Sequence, residues 1–177
     1  MDSNKSLVFL IGMPGTGKTY WAEHLSEAFG FQMLDIDDEI EEEEDMSITD
    51  IFDKRGEEWF REKEKQILND IIRDNKEGSA DENAKVIIAC GGGTPCFFDN
   101  MQRMREAGTV IYLRSKPETI IERILHEVEK RPLLAEQTEL IEYAQELLDT
   151  RKETYEQAHH ILDTENISLT TFEQILK

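Results

Sequence analysis

Leu7-Val8-Phe9-Leu10-Ile11, followed at once by Gly12-Met13-Pro14-Gly15-Thr16-Gly17-Lys18-Thr19, is the stretch on which the reading of this chain turns. Five consecutive apolar residues closed by a glycine are the pattern of a strand buried on both faces. The next eight positions satisfy G-x-x-x-x-G-K-[ST] in full. A helical pattern then opens at Lys18, with Trp21, Ala22, Leu25 and Phe29 at helical spacing and Gly30 at the stop position. Glycines let successive backbone N–H groups turn inward around phosphate oxygens, and the N-terminus of the helix adds partial positive charge. Gly12, Gly15, Thr16 and Gly17 build that cradle, Lys18 is placed to reach the β- and γ-phosphates, and the Thr19 hydroxyl to ligate Mg²⁺. A glycine-rich turn carrying an exposed lysine is the plainer alternative, and it is disfavoured because pattern and context agree. The residues predict a nucleoside triphosphate site.

Outward from this loop, Phe31–Ile36, Val86–Cys90, Thr109–Leu113 and His160–Asp163 read as further strands. Helices are expected over Ile48–Phe52, Glu57–Arg73, from Pro117 to about Glu129, over Glu139–Ala158, and at the end of the chain to Leu176. Lys76–Asn83 reads as a polar loop. Strands alternating with helices predict an α/β fold with a parallel sheet covered by helices on both faces, whose ligands sit at the carboxyl ends of the strands.

The 177 residues suit one domain, spanning 1–177, with no repeat, linker or break in composition. No run of apolar residues approaches the ~18 a membrane span requires, and Leu7–Ile11 is too short for a signal-peptide core. Asp and Glu number 39 against 20 Lys and Arg, a formal charge of −19, which argues against a duplex nucleic-acid partner. Two cysteines, Cys90 and Cys96, make no disulfide scaffold, so a cytoplasmic, reducing compartment is expected. His159-His160 offers no third ligand and reads as structural.

The class of nucleotide protein follows from length and missing elements. Asp53-x-x-Gly56 does not follow a strand, and Asn75-Lys76-Glu77-Gly78 only approaches the base-recognition motif of a GTPase. A motor ATPase is normally longer, and a small-molecule kinase fits best. Leu34-Asp35-Ile36-Asp37 sets two carboxylates two residues apart at the end of a strand, where a period of two would put both on one side. One could hold Mg²⁺ and the other receive a proton from an acceptor hydroxyl. Taken alone, the pair reads better as the start of an acidic solvated helix, since Asp38, Glu39 and Glu41–Asp45 follow. Gly91-Gly92-Gly93 after a buried strand reads equally as a tight turn or as backbone that something must approach closely.

Together these motifs resemble the shikimate kinase family: the phosphate loop, Asp35-x-Asp37, Met46–Phe52, Gly56-Glu57-x-x-Phe60-Arg61-x-x-Glu64, Gly91-Gly92-Gly93, Arg131-Pro132-Leu133-Leu134 and Asp163-Thr164, in that order. The resemblance implies the three-layer P-loop kinase fold with a five-stranded parallel sheet, an acceptor-binding helical segment over about 37–73 and a lid over about 126–138. It implies ATP and shikimate as substrates, Mg²⁺ as cofactor, and a monomer. By the same resemblance, Asp35 joins Thr19 on the metal and Asp37 contacts the acceptor hydroxyls as a candidate base. Arg61, supported by Glu64, and Arg151 grip the acceptor carboxylate, for which the bidentate guanidinium fork is suited. The glycine triplet faces the ring, Arg131 stabilises the transferring phosphoryl group as a catalytic residue beside Lys18, and Arg123 lies near the adenine. Lys152-Glu153-Thr154 replaces the family's usual proline-leucine pattern ahead of Tyr155. Two alternatives remain: a related kinase for another polyol acid such as gluconate, and a catalytically silent nucleotide-binding regulator. Arg61, Arg151 and the glycine triplet argue against the first, and Asp37 with Arg131 against the second.

Overall fold

Residues 7–78, 85–127 and 134–176 are described by the computed structural model. Strand β1 (Leu7–Ile11) is buried along its whole length, and its two faces belong to two different cores. Leu7, Phe9 and Ile11 enter one cluster, Val8 and Leu10 the other. The same alternation divides β3 (Val86–Ala89) and β4 (Gly108–Arg114): Val86, Ile88, Val110 and Tyr112 go one way, Ile87, Ala89, Ile111 and Leu113 the other. A strand apolar at every position is what a sheet covered on both faces requires. With β2 (Gln32–Asp35) and β5 (His160–Asp163) the sheet runs β2-β3-β1-β4-β5, every pair parallel.

One face is covered by α1 (Lys18–Phe29) and α7 (Leu169–Leu176), through Ala22, Leu25, Phe172 and Leu176. The other is covered by α2 (Ile36–Glu44), α3 (Ile48–Gly78), α4 (Asn100–Ala107), α5 (Pro117–Glu127) and α6 (Leu134–Tyr155). Ile40, Ile51, Phe60, Leu68, Met104, Ile120 and Tyr155 are the residues these helices bury there. The expected three layers and five parallel strands are present.

Local boundaries differ from expectation in instructive ways. The second strand stops at Asp35, and Asp37 is not on a strand. Asp35 caps α2, its Oδ1 accepting from Asp37 N–H at 3.0 Å, and Asp37, Asp38 and Glu39 form an acidic first turn. An aspartate cap and three carboxylates at the positive end of a helix dipole outweigh continuation of the strand. The two helices expected on either side of Gly56 are the two limbs of α3, which breaks at that residue (φ 82°, ψ 170°). A 3-10 turn (Thr94–Cys96) and α4 were not anticipated. The fifth helix is described to Glu127, and α6 opens at Leu134 and closes at Tyr155.

Candidate active site

Strands β1 and β3 lie side by side, and Cys90 N–H still donates to Leu10 O at 3.1 Å just beyond them. From there the chain leaves β1 through the phosphate loop to α1 on one face of the sheet. It leaves β3 through Gly91-Gly92-Gly93 to the 3-10 turn and α4 on the opposite face. Divergence of neighbouring connections opens a crevice at the carboxyl ends of the strands. Lys18, Asp37, Arg61 and Arg151 are brought together there, around the loop and the triplet.

On the phosphate-loop side, Lys18 Nζ donates to Gly12 O at 3.0 Å and to Met13 O at 2.8 Å. Burial lowers its pKa to about 8, with Asp37 and Asp35 acting in the opposite direction. The Thr16 hydroxyl donates to Met13 O at 2.9 Å and is 1% exposed, so it braces the loop and leaves phosphate contact to the backbone. Thr19 Oγ1 donates to Asp35 Oδ2 at 2.7 Å, which joins the two predicted metal ligands across 16 residues of chain. Arg123 Nη1 donates to Thr16 O at 3.2 Å, tying α5 to the loop. Arg131 lies outside the described residues.

On the other side of the crevice, Asp37 Oδ1 is buried without a hydrogen-bond partner among the described residues. Burial first, then the nearby Asp35 and Glu64 carboxylates, raises its pKa to about 6 against the pull of Lys18. Arg61 is held by two carboxylates of its own helix: Nη1 donates to Glu64 Oε2 at 2.6 Å, and Nε and Nη2 to Glu57 Oε1 at 3.1 and 2.9 Å. Its guanidinium lies 4.3 Å from the Phe97 ring. Three of its five N–H groups are thereby engaged by those carboxylates.

Each glycine of the triplet is pressed by a different side chain of the site. A Cβ on Gly91 would stand 2.7 Å from Glu64 Oε1 and 3.0 Å from Asp37 Oδ1. One on Gly92 would meet Pro14 at 2.7 Å and Arg151 Nη1 at 3.2 Å, and one on Gly93 would fall within the Arg61 guanidinium. The triplet is thus both a tight turn, closed by Thr94 N–H donating to Gly91 O at 3.1 Å, and a surface on which Asp37, Glu64, Arg61 and Arg151 converge. Helix α6 runs unbroken through Lys152-Glu153-Thr154, so the departure from the family pattern leaves Arg151 on a regular helix.

Three contributors were missed as such. The Tyr155 hydroxyl donates to Gly92 O at 2.6 Å, and its ring packs 4.9 Å from that of Tyr112, fixing the middle of the triplet. The Phe97 ring supports Arg61 from the face of its guanidinium. The Thr94 hydroxyl, fully buried, donates to Glu64 Oε1 at 2.5 Å. A hydroxyl directly after three glycines was the available signal for Thr94; for the other two, only the fold brings the partners together. His159 is structural as expected, its Nδ1 accepting from Val110 N–H at 3.0 Å. Beyond β5, Asp163 pairs with Arg114 at 2.6 Å and the Thr164 hydroxyl bonds that of Ser115, closing the ends of β4 and β5 together.

A family model described as "Shikimate kinase" matches residues 14–177. A curated shikimate kinase from Persephonella marina is 37% identical over 161 residues, covering 91% of this chain and 90% of its relative. The chain belongs to the shikimate kinase family. Among solved structures, a shikimate kinase from Acinetobacter baumannii in complex with shikimate superposes with a TM-score of 0.79 at 28% identity, over 98% of this chain and 92% of that one. A gluconokinase from Sinorhizobium meliloti shares the fold alone, at a TM-score of 0.51 and 16% identity over 97% of this chain and 87% of that one. Membership in the shikimate kinase family carries the enzyme class, an ATP-dependent phosphotransferase, and with it the general need of such enzymes for a divalent metal. The Thr19 hydroxyl and Asp35 carboxylate fit that need, being hard oxygen donors already in contact at the mouth of the loop. No helix among the described residues is long and apolar enough to cross a membrane.

Proposed function

We propose that this family member transfers the γ-phosphoryl group of ATP to a ring hydroxyl of shikimate, with Mg²⁺ as the metal. The observation that carries the reading is the convergence of Asp37, Arg61 and Arg151 on the glycine triplet, across the crevice from Lys18. A carboxylate-bearing polyol suits this arrangement: two arginines for its planar anion, a carboxylate for its hydroxyl, and bare backbone against its ring. Gluconate would present an open chain to the same surface.

Phosphoryl transfer asks the protein mainly for position and charge. Lys18 exchanges its loop carbonyls for phosphate oxygens, and the backbone of Gly12 to Thr19 holds the phosphates. Thr19 and Asp35 would hold Mg²⁺, which would supply positive charge against that of the phosphates. Asp37 takes the hydroxyl proton as the oxygen attacks; its buried Oδ1 is the acceptor for that proton. Arg61 and Arg151 orient the acceptor through its carboxylate, and Arg131 supplies positive charge from the lid. The protein works as a cytoplasmic monomer with both thiols reduced, consistent with Cys90 and Cys96 being unpaired.

Incubation with ATP, Mg²⁺ and shikimate, followed by phosphorus NMR, tests the reading. A phosphomonoester signal accompanied by stoichiometric ADP is expected, and ADP with inorganic phosphate alone would refute it.

A further inference from the structure

Glu64 is 1% exposed and lies on the acceptor side. Each of its oxygens has one donor: Arg61 Nη1 at 2.6 Å on Oε2 and Thr94 Oγ1 at 2.5 Å on Oε1. On the Oε1 side a second carboxylate is close. Glu64 Oε1, Asp37 Oδ1 and Thr94 Oγ1 all stand within 3.0 Å of the point where a Cβ on Gly91 would lie. Only a donor can separate two buried carboxylate oxygens without forcing one carboxylate to move or take a proton. Thr94 is that donor on Glu64. Its own place is fixed from both directions, its N–H donating to Gly91 O at 3.1 Å and its carbonyl accepting from the Nδ2 of buried Asn100 at 2.8 Å.

We infer that Thr94 is a positioning residue for the acceptor: by saturating Glu64 Oε1 it holds Glu64 on Arg61 and so aims the Arg61 guanidinium at the carboxylate of the acceptor. The inference rests on the reading of Arg61 as the grip for that carboxylate. Filling the space is not enough for this task, because valine fills it equally and donates nothing. Deprived of the hydroxyl, Glu64 Oε1 becomes a buried acceptor without a donor beside Asp37, and the carboxylate turns away from Arg61 to relieve the repulsion. Helix α4, which supplies Asn100 at its first position, thereby reaches the substrate through Thr94 and Glu64.

Steady-state kinetics of Thr94→Val and Thr94→Ser, beside the unaltered protein, tests this. For Thr94→Val the KM for shikimate should rise roughly tenfold, the loss of one hydrogen bond to a buried charge. The KM for ATP and kcat should stay within about threefold, since none of the hydrogen bonds of Thr94 among the described residues reaches the phosphate loop. Thr94→Ser keeps the hydroxyl and should restore the KM for shikimate. Should the valine variant fold poorly, Thr94→Ala removes the same donor and carries the same expectations. An unchanged KM for shikimate without the hydroxyl, equal losses for both substrates, or a serine variant as impaired as the valine one would each overturn the inference while leaving the proposed reaction intact. Absence of shikimate-dependent turnover in the unaltered protein would instead overturn the proposed reaction, and this inference with it.

Discussion

Asp37 is where stability and chemistry oppose each other. Its folded pKa of about 6 lies above the ordinary value of 3.8, so the folded protein binds its proton more tightly than the unfolded chain does. The stability it contributes is therefore greatest below about pH 4 and is lost as pH rises through about 6. Asp37→Asn should stabilise the ligand-free protein near pH 7.5 by on the order of 1–2 kcal/mol after Lys18 loses its counter-charge, and so raise its melting temperature. The gain should vanish near pH 3.5, and turnover should fall by about 10²–10⁴ because no base remains. Thermal melts at the two pH values check the sign; a variant less stable than its parent at the higher pH would contradict the burial argument. Arg61→Ala should raise the KM for shikimate about a hundredfold, as expected for truncating one side of a buried charge pair, while the KM for ATP stays within about twofold. Gly93→Ala should reproduce that pattern, because its Cβ would occupy the place of the guanidinium. Parallel kinetics of the two variants provides the comparison, and a normal KM in Gly93→Ala would show that Arg61 has room to retreat.

Among the elements, the break in α3 decides where Arg61 points. Gly56 adopts φ 82° and ψ 170°, a region open almost only to glycine, while the space around it is free. Gly56→Ala should therefore cost about 1–3 kcal/mol of stability purely through backbone strain. Urea denaturation measures it, and an unchanged midpoint would mean that the break relaxes into continuous helix. How far such features could be read in advance depended on how local their causes are. The phosphate loop, α1 and the division of α3 at Gly56 are encoded by neighbours in sequence and were legible. The start of α2 was also local, an aspartate followed by carboxylates, and the acidic-helix reading of that pair is the one that holds from Ile36 on, only the strand ending short of Asp37. Helix α4 was hidden because its apolar side is short, Met101, Met104 and Ala107, with buried Asn100 acting as a polar tie. Arg61 was legible through family resemblance, whereas Thr94 and Tyr155 bond to partners 30 and 63 residues away and draw their meaning from the tertiary fold.

At the scale of the molecule, a charge of −19 sits around a crevice that must receive two anions. Repulsion among the carboxylates destabilises the compact state and is screened within about 10 Å at 0.1 M salt. Melting temperature should therefore climb as potassium chloride is added from low to roughly 0.5 M. A steady fall would show that local pairs such as Lys63 with Glu43 and Glu44 dominate over the net charge. Against that field, Lys18 on one wall and Arg61 and Arg151 on the other concentrate cations in one crevice, with Asp37 on the acceptor wall. The most direct test of this account is ADP release from ATP and Mg²⁺ by the purified protein with shikimate, with gluconate and with no acceptor. The account predicts rapid release that requires shikimate and only background release in the other two. Equal rates with gluconate, or release indifferent to any acceptor, would contradict it.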